Sequence, residues 1–356
     1  MNVTIKKQVF ENILANLQPF LEKKDHSLIT SHIYMEASET KLLFKGTDGE
    51  IGLAIETGEY VLNAPGLATC NGKKLLDIVR ILKDDDIMVQ LENDQILLKQ
   101  GRSKYRLPTF DASAYPSFPV SEGLPKIDIN SLKLINAFKK VTPAIDTNNP
   151  KFELNGALLD IRNNIINVVA TDTKRLSLVK LDKKEVQSAL SLIIPKKAIQ
   201  EIQKLFFNEL ALFYDDTNLI IHADNNYFFT KVINGKFPDY ERIIPRELKH
   251  TFTLPKDQMI GAIKQVNIIA NEIKMTFHGT TILFESLSSD NMEAKTEMEI
   301  DQAMESEFTM AVNSRYLIDF LSQIDTREFI IGFNETNTPF QLKSENFSTI
   351  VMPIVL

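Results

Sequence analysis

Two periodicities alternate along the chain, and their alternation recurs. Three stretches read as a helix followed by two strands: "NGKKLLDIVRILKDDDIMVQLENDQILLKQGRSKYRL", "IPKKAIQEIQKLFFNELALFYDDTNLIIHADNNYFFTKV" and "VNSRYLIDFLSQIDTREFIIGFNETNTPFQLKSENFSTIVMP". Each opens with a polar cap and basic residues. Apolar residues then fall at helical spacing: Leu75, Leu76, Val79 and Leu82; Ile199, Ile202 and Leu205; Leu317, Ile318 and Leu321. Alternating strands follow, joined by the turns "END", "DDTN" and "NETN". The intervening stretches repeat as well. "KKQVFENILANLQPFL", "SLKLINAFKKVTPAI" and "KDQMIGAIKQVNIIA" are amphipathic helices by pattern, and each leads into strands. The "GTD" at 46–48 and the "ATD" at 170–172 sit at matching points of the first two.

Helix starts are predicted near Lys6, Lys73, Ser131, Lys196, Lys256 and Ser314, at spacings of 67, 58, 65, 60 and 58 residues. This period exceeds that of common solenoid repeats and points to tandem domains. Six helix-plus-strand units pair into three similar α+β domains, each a sheet covering two helices. The expected boundaries lie near Pro125 and His250, giving 1–125, 126–250 and 251–356.

Charge sharpens this picture. The chain carries −7 overall, which by itself argues against a nucleic-acid partner. The six predicted helices, however, carry +2, +3, +3, +2, +1 and 0, so the strands and loops hold −18. Lysines on a solvated helix face are the ordinary explanation for any one helix. Five basic helices in an acidic chain instead suggest one positive surface, suited to a phosphate backbone and blind to base sequence.

The 44% apolar and 24% charged content is that of a folded chain. No apolar run reaches the ~18–20 residues that span a bilayer. The opening "MNVTIKKQVFENIL" lacks a signal-peptide pattern. Cys70 is the single cysteine, excluding an internal disulfide or a cysteine zinc site. A cytoplasmic protein is expected.

Catalytic patterns are sparse. His26, His32, His222, His250 and His278 show no H-x-x-x-H spacing. "DDD" at 84–86 and "DD" at 215–216 fall in turns at equivalent repeat positions. "GLATCNGKK" from Gly66 has one residue too many for a phosphate-binding loop, and Lys74 stands where Ser or Thr would hold magnesium. Neither a nucleophile elbow nor a dinucleotide-binding loop is present. The residues alone leave two other readings open. One is a metal-dependent phosphoesterase using Asp85 or Asp172; the other is a monomeric protein binding DNA on an open surface.

Six stretches carry a family resemblance: "GTD" at 46–48, "GRSKY" at 101–105, "LNGALL" at 154–159, "VATDTKRLSLV" at 169–179, "GKFPDYERIIP" at 235–245 and "VMPIVL" at 351–356. In this order, on a threefold repeat, they resemble the beta subunit of bacterial DNA polymerase III, the sliding-clamp family. The resemblance implies a DNA clamp fold. Two chains would form a ring, with helices lining a central hole and sheets forming the outer wall. The implied function is a non-catalytic processivity factor that encircles duplex DNA, needs no cofactor or metal, and tethers the replicative polymerase, the clamp loader and repair proteins.

Motif by motif, the resemblance implies a hydrophobic partner-peptide groove using Leu154, Thr171, Lys174, Arg175, Leu176, Pro238, Arg242, Ile243, Ile350, Met352, Pro353, Ile354 and Leu356. A few apolar anchors carry most of a docked peptide's binding energy, and a methionine adapts to several partners. For the ring joint it implies Tyr105 and Leu107 on one edge and Ile268 and Ile269 on the other. Lys74, Arg102, Glu297 and Glu299 would pair across it. For DNA it implies Lys24, Lys73, Arg80, Lys139, Lys140 and Lys197. The chain departs from the family at Lys174, often His, at Val355, where the best-known members have Arg, and at Glu153, which breaks an aromatic pair after Phe152.

Overall fold

The structure is a computed structural model describing residues 1–25, 27–162, 165–182, 189–288 and 292–355. His26 and Leu356 lie outside the described residues.

Six α-helices occur among the described residues: α1 (Lys7–Leu17), α2 (Gly72–Ile81), α3 (Ser131–Val141), α4 (Lys196–Leu205), α5 (Lys256–Asn267) and α6 (Ser314–Leu321). Every start falls within one residue of the periodicity-based expectation. Capping explains part of this agreement. The Asn71 side chain accepts from the Lys74 backbone N–H at the start of α2, and Asn313 accepts from that of Arg315 at the start of α6. Pro19 ends α1 and Pro143 ends α3, each inside a 3-10 turn. Phe10, Ile13, Leu14 and Leu17 bury one face of α1.

The chain forms two compact units, 1–131 with 201–232, and 132–200 with 233–356. In the first, a five-stranded sheet runs Tyr60–Ala64, Asn2–Lys6, Asp86–Glu92, Gln95–Gln100, Ser103–Pro108. Its last strand is an edge. Beside it, an eight-stranded sheet joins Asn226–Lys231 antiparallel to Ile51–Thr57. That pairing draws 201–232 into the first unit. Gly52 lies opposite Phe229 at this seam, where a Cβ would sit 2.2 Å from the ring, so the close approach requires glycine.

The second unit repeats the arrangement. Its eight-stranded sheet runs Leu190–Pro195, Gly156–Arg162, Ile165–Thr171, Arg175–Asp182, Phe347–Val351, Phe340–Ser344, Glu328–Phe333, His250–Pro255. The seam is Arg175–Asp182 against Phe347–Val351, with Leu176 opposite Ile350. Pairing the two strands consumes edges that would otherwise be exposed. A long hairpin, Glu272–Ser286 with Lys295–Asn313, completes the unit. Its register shifts around Gly279, and the chain folds back until the Leu287 N–H donates to the Glu272 carbonyl at 2.8 Å.

Candidate partner-binding groove

The seam of the second unit organises the predicted groove residues. The turn before Arg175–Asp182 is held by Asp172, whose Oδ1 accepts from the backbone N–H of Lys174 at 3.0 Å and of Arg175 at 2.9 Å. Thr171 closes the same turn by donating its hydroxyl to the Arg175 carbonyl at 2.6 Å. Asp172 is thus occupied as a turn former, and among the described residues no group of three or more His, Cys, Asp or Glu could hold a metal ion.

Arg175 is buried, and its charge is fully matched. Its Nε lies 3.1 Å from Asp172 Oδ2 and its Nη1 2.7 Å from Asp319 Oδ2. Its Nη2 donates to the Pro143 carbonyl, and the guanidinium sits 4.5 Å from the Tyr316 ring centroid. Tyr316 and Asp319 project from one face of α6 at three-residue spacing. Burial pushes the Tyr316 phenol pKa up. Sequence reading missed both residues. The only available signal was the polar pair on α6, and nothing local ties that pair to Arg175.

The C-terminal segment leaves the sheet after Val351. The Met352 N–H donates to the Lys174 carbonyl at 2.9 Å, and the Ile354 N–H to that of Ala311 at 2.8 Å. These bonds lay the segment across the surface with Met352 40% exposed and Pro353 and Ile354 half-buried. Leu176 and Ile350, each 1% exposed, join Leu158, Val169, Leu178, Ile193, Phe237 and Tyr240 in a packed cluster. They form a floor, and Leu154 is equally buried.

The open part is a cleft of about 890 Å³ lined by Asp239, Glu241, Arg242, Ile243, Ile244, Pro245, Arg246, Asn334, Thr338, Pro339 and Met352. It brings together Arg242, Ile243 and Met352 from the predicted set. Pro238 and Lys174 are exposed but do not line it, and Thr171 and Arg175 are buried. The Arg242 guanidinium is held by Asp239 at 2.7 Å. Within 334–339 the lining is Asn334, from the "NETN" turn that sequence reading took only as a connector, with Thr338 and Pro339 just after it.

The other candidates are placed as follows. Lys24, Lys73, Arg80, Lys139 and Lys197 are exposed. Lys73 and Arg80 line a cleft of about 500 Å³ between α1 and α2 with Gln18 and Lys23. Lys140 corrects the expectation. It is 7% exposed with its ammonium 5.8 Å from the Phe347 ring centroid, so it is a covered residue and is not available to a phosphate. Tyr105 and Leu107 are half-buried on one face of the edge strand Ser103–Pro108. Ile268 caps α5 and is 82% exposed, beside the half-buried Ile269. Glu297 and Glu299 are exposed and alternate with the buried Met298 and Ile300. Lys74, Arg102, Glu297 and Glu299 make no ion pair among the described residues.

Comparison with known proteins places this geometry. Family models of the DNA polymerase III beta subunit match in order, the N-terminal domain over residues 1–119, the central domain over 128–239 and the C-terminal domain over 241–355. The beta sliding clamp of Helicobacter pylori strain J99 is 37% identical over 374 residues, with 100% of each chain covered. That of Pseudomonas aeruginosa is 25% identical over 371 residues, again with 100% of each covered. The crystal structure of the Helicobacter pylori beta clamp bound to a DNA ligase peptide matches with a TM-score of 0.95 at 38% identity, covering 100% of both chains. No helix among the described residues is long and apolar enough to cross a membrane.

Proposed function

The chain belongs to the DNA polymerase III beta subunit family, the beta sliding clamps, and on that premise we propose how its surfaces serve the function. It has the three-domain clamp fold and is a non-catalytic DNA sliding clamp of replication. Our reading places the domains at 1–125, 126–250 and 251–356 and the protein in the bacterial cytoplasm.

The cleft beside Met352 is the docking site for short partner peptides, including those of the polymerase, the clamp loader and repair proteins. One observation carries this reading: the C-terminal segment, pinned at Met352 and Ile354, turns Met352 toward Arg242 and Ile243 across an open cleft. An apolar anchor seated there would be ringed by Arg242 and Arg246, the arrangement in which a few desolvated contacts dominate affinity. That the Helicobacter pylori relative binds a DNA ligase peptide supports a peptide-docking role for this chain. Arg175 stiffens the turn behind this surface. Lys174, exposed at its border, sets part of the partner preference.

Lys24, Lys73, Arg80, Lys139 and Lys197 meet duplex phosphates, with many weak contacts sharing the task. Two chains close a ring through the edge strand Ser103–Pro108 of one copy and the Lys295–Asn313 strand of the other, by strand addition. Tyr105 and Leu107 meet Ile268 and Ile269 there, and Lys74 and Arg102 meet Glu297 and Glu299. The ring converts polymerase rebinding into a local event at high effective concentration.

The test compares salt resistance on plasmid DNA, with a clamp loader supplied. A ring loaded on a circle stays bound through a high-salt wash and is released when the circle is cut. Loss in salt from circular and linear DNA alike would identify open-surface binding and overturn the ring.

A further inference from the structure

Behind the cleft lies a buried polar network that the groove residues do not include. The Tyr240 hydroxyl donates to Asp160 Oδ2 at 2.6 Å and accepts from Asn167 Nδ2 at 2.9 Å. Asp160 is held in turn by Arg162, whose Nε lies 2.9 Å from Oδ1 and whose Nη2 lies 2.9 Å from Oδ2. Tyr240, Asp160 and Asn167 are all more than nine-tenths buried. Two strands of the central sheet, Gly156–Arg162 and Ile165–Thr171, supply the acceptor and the donor. Tyr240 begins the 3-10 turn Tyr240–Arg242, so the sheet grips that turn at one end while its other end presents Arg242 and Ile243 to the cleft. The Tyr240 ring meanwhile packs into the floor cluster with Leu176 and Ile350.

We propose that Tyr240 is a positioning residue for partner binding, its hydroxyl fixing the height and orientation of the cleft wall through Asp160. This rests on the groove reading above. The physical basis is directionality. Ring packing alone tolerates sliding of a short turn over an apolar floor, because dispersion contacts have no preferred register. A buried hydroxyl bonded to a carboxylate has one acceptable place, since moving it leaves both groups desolvated and unpaired. The turn is therefore held ready for a partner before any partner arrives, which lowers the ordering cost of binding.

The experiment measures fluorescence-anisotropy titrations of the DNA ligase peptide carried by the Helicobacter pylori relative against the full-length chain and its variants. Tyr240→Phe keeps the ring and removes the hydroxyl. It is expected to raise the dissociation constant about 3- to 10-fold, because only part of the bond's worth reaches the peptide through the positioning of the turn. Asp160→Leu gives a similar loss, whereas Asp160→Asn, which retains an acceptor oxygen for the hydroxyl, stays within about twofold of wild type. Combining Tyr240→Phe with Asp160→Leu adds nothing to the loss from Asp160→Leu alone, because both act through one bond. All titrations are run well below the melting transition, with near-UV circular dichroism confirming the folded state. A lowered melting temperature with unchanged peptide affinity in Tyr240→Phe would make the network structural only and overturn the proposal. Equal losses in Asp160→Asn and Asp160→Leu would also overturn it. Absence of binding by the wild-type chain would fail at a different point, removing the groove reading and this proposal with it.

Discussion

Replacing Arg175 with alanine removes one side chain and takes a partner from four groups. The guanidinium is the counter-charge of both Asp172 and Asp319, the donor to the Pro143 carbonyl and the cation over the Tyr316 ring. Breaking a buried ion pair by deleting one partner costs ~3–5 kcal/mol, because the remaining charge stays desolvated. Here the Asp172 and Asp319 side chains are 19% and 24% exposed, so water reaches the stranded carboxylates in part. The expected cost is therefore about 3 kcal/mol, toward the lower end. For a cooperative unit of ~150–250 residues, 1 kcal/mol lowers the melting temperature by about 2–4 °C. The transition of the second unit should then fall by roughly 6–12 °C. Differential scanning calorimetry reads it directly. A double-mutant cycle with Asp319→Ala assigns the cause, and the coupling should exceed about 0.5 kcal/mol. A variant melting within about 1 °C of wild type, or a cycle with no coupling, would show that the buried charge cluster contributes nothing net and would refute the reasoning.

Three further outcomes follow from the same structure. The His32 ring is buried against Phe110, and burial pulls its pKa from 6.5 down to about 4. The unfolded chain binds this proton below pH ~6.5 and the folded chain only near 4. Stability conferred by the neutral ring is thus complete above 6.5 and is lost as pH falls toward 4, by about 3 kcal/mol at most; urea titrations at pH 7 and 4.5 should differ less in His32→Gln than in wild type. Deleting Met352–Leu356 removes the bonds from Met352 and Ile354 and should abolish peptide binding while sedimentation still shows a dimer; retained peptide affinity would refute the groove assignment. Tyr105→Glu sets a carboxylate on the edge strand that we pair with Glu297 and Glu299, and should yield monomer at micromolar concentration by sedimentation velocity, whereas an unchanged dimer would place the joint elsewhere.

Much of the fold is local in origin and therefore legible along the chain. Six helix starts, the turns between strands and the threefold recurrence all follow from apolar spacing, caps and prolines, which act within a few residues. The basic character of the helices was equally plain from composition. What stayed hidden depends on contacts between remote segments. Helical spacing does not distinguish the exposed Lys139 from Lys140, because the Phe347 ring that covers Lys140 arrives from the far end of the chain. The motif at 169–179 marked Arg175 without revealing that Asp319, 144 residues away, neutralises it. Tyr240 stood inside the motif at 235–245 with no role of its own until the sheet set Asp160 beneath its hydroxyl. Sequence periodicity specifies which face of an element is buried. Only the packed chain decides what that face meets, because partners for a buried charge or hydroxyl are chosen by proximity in space, and proximity between distant strands is a property of the completed sheets.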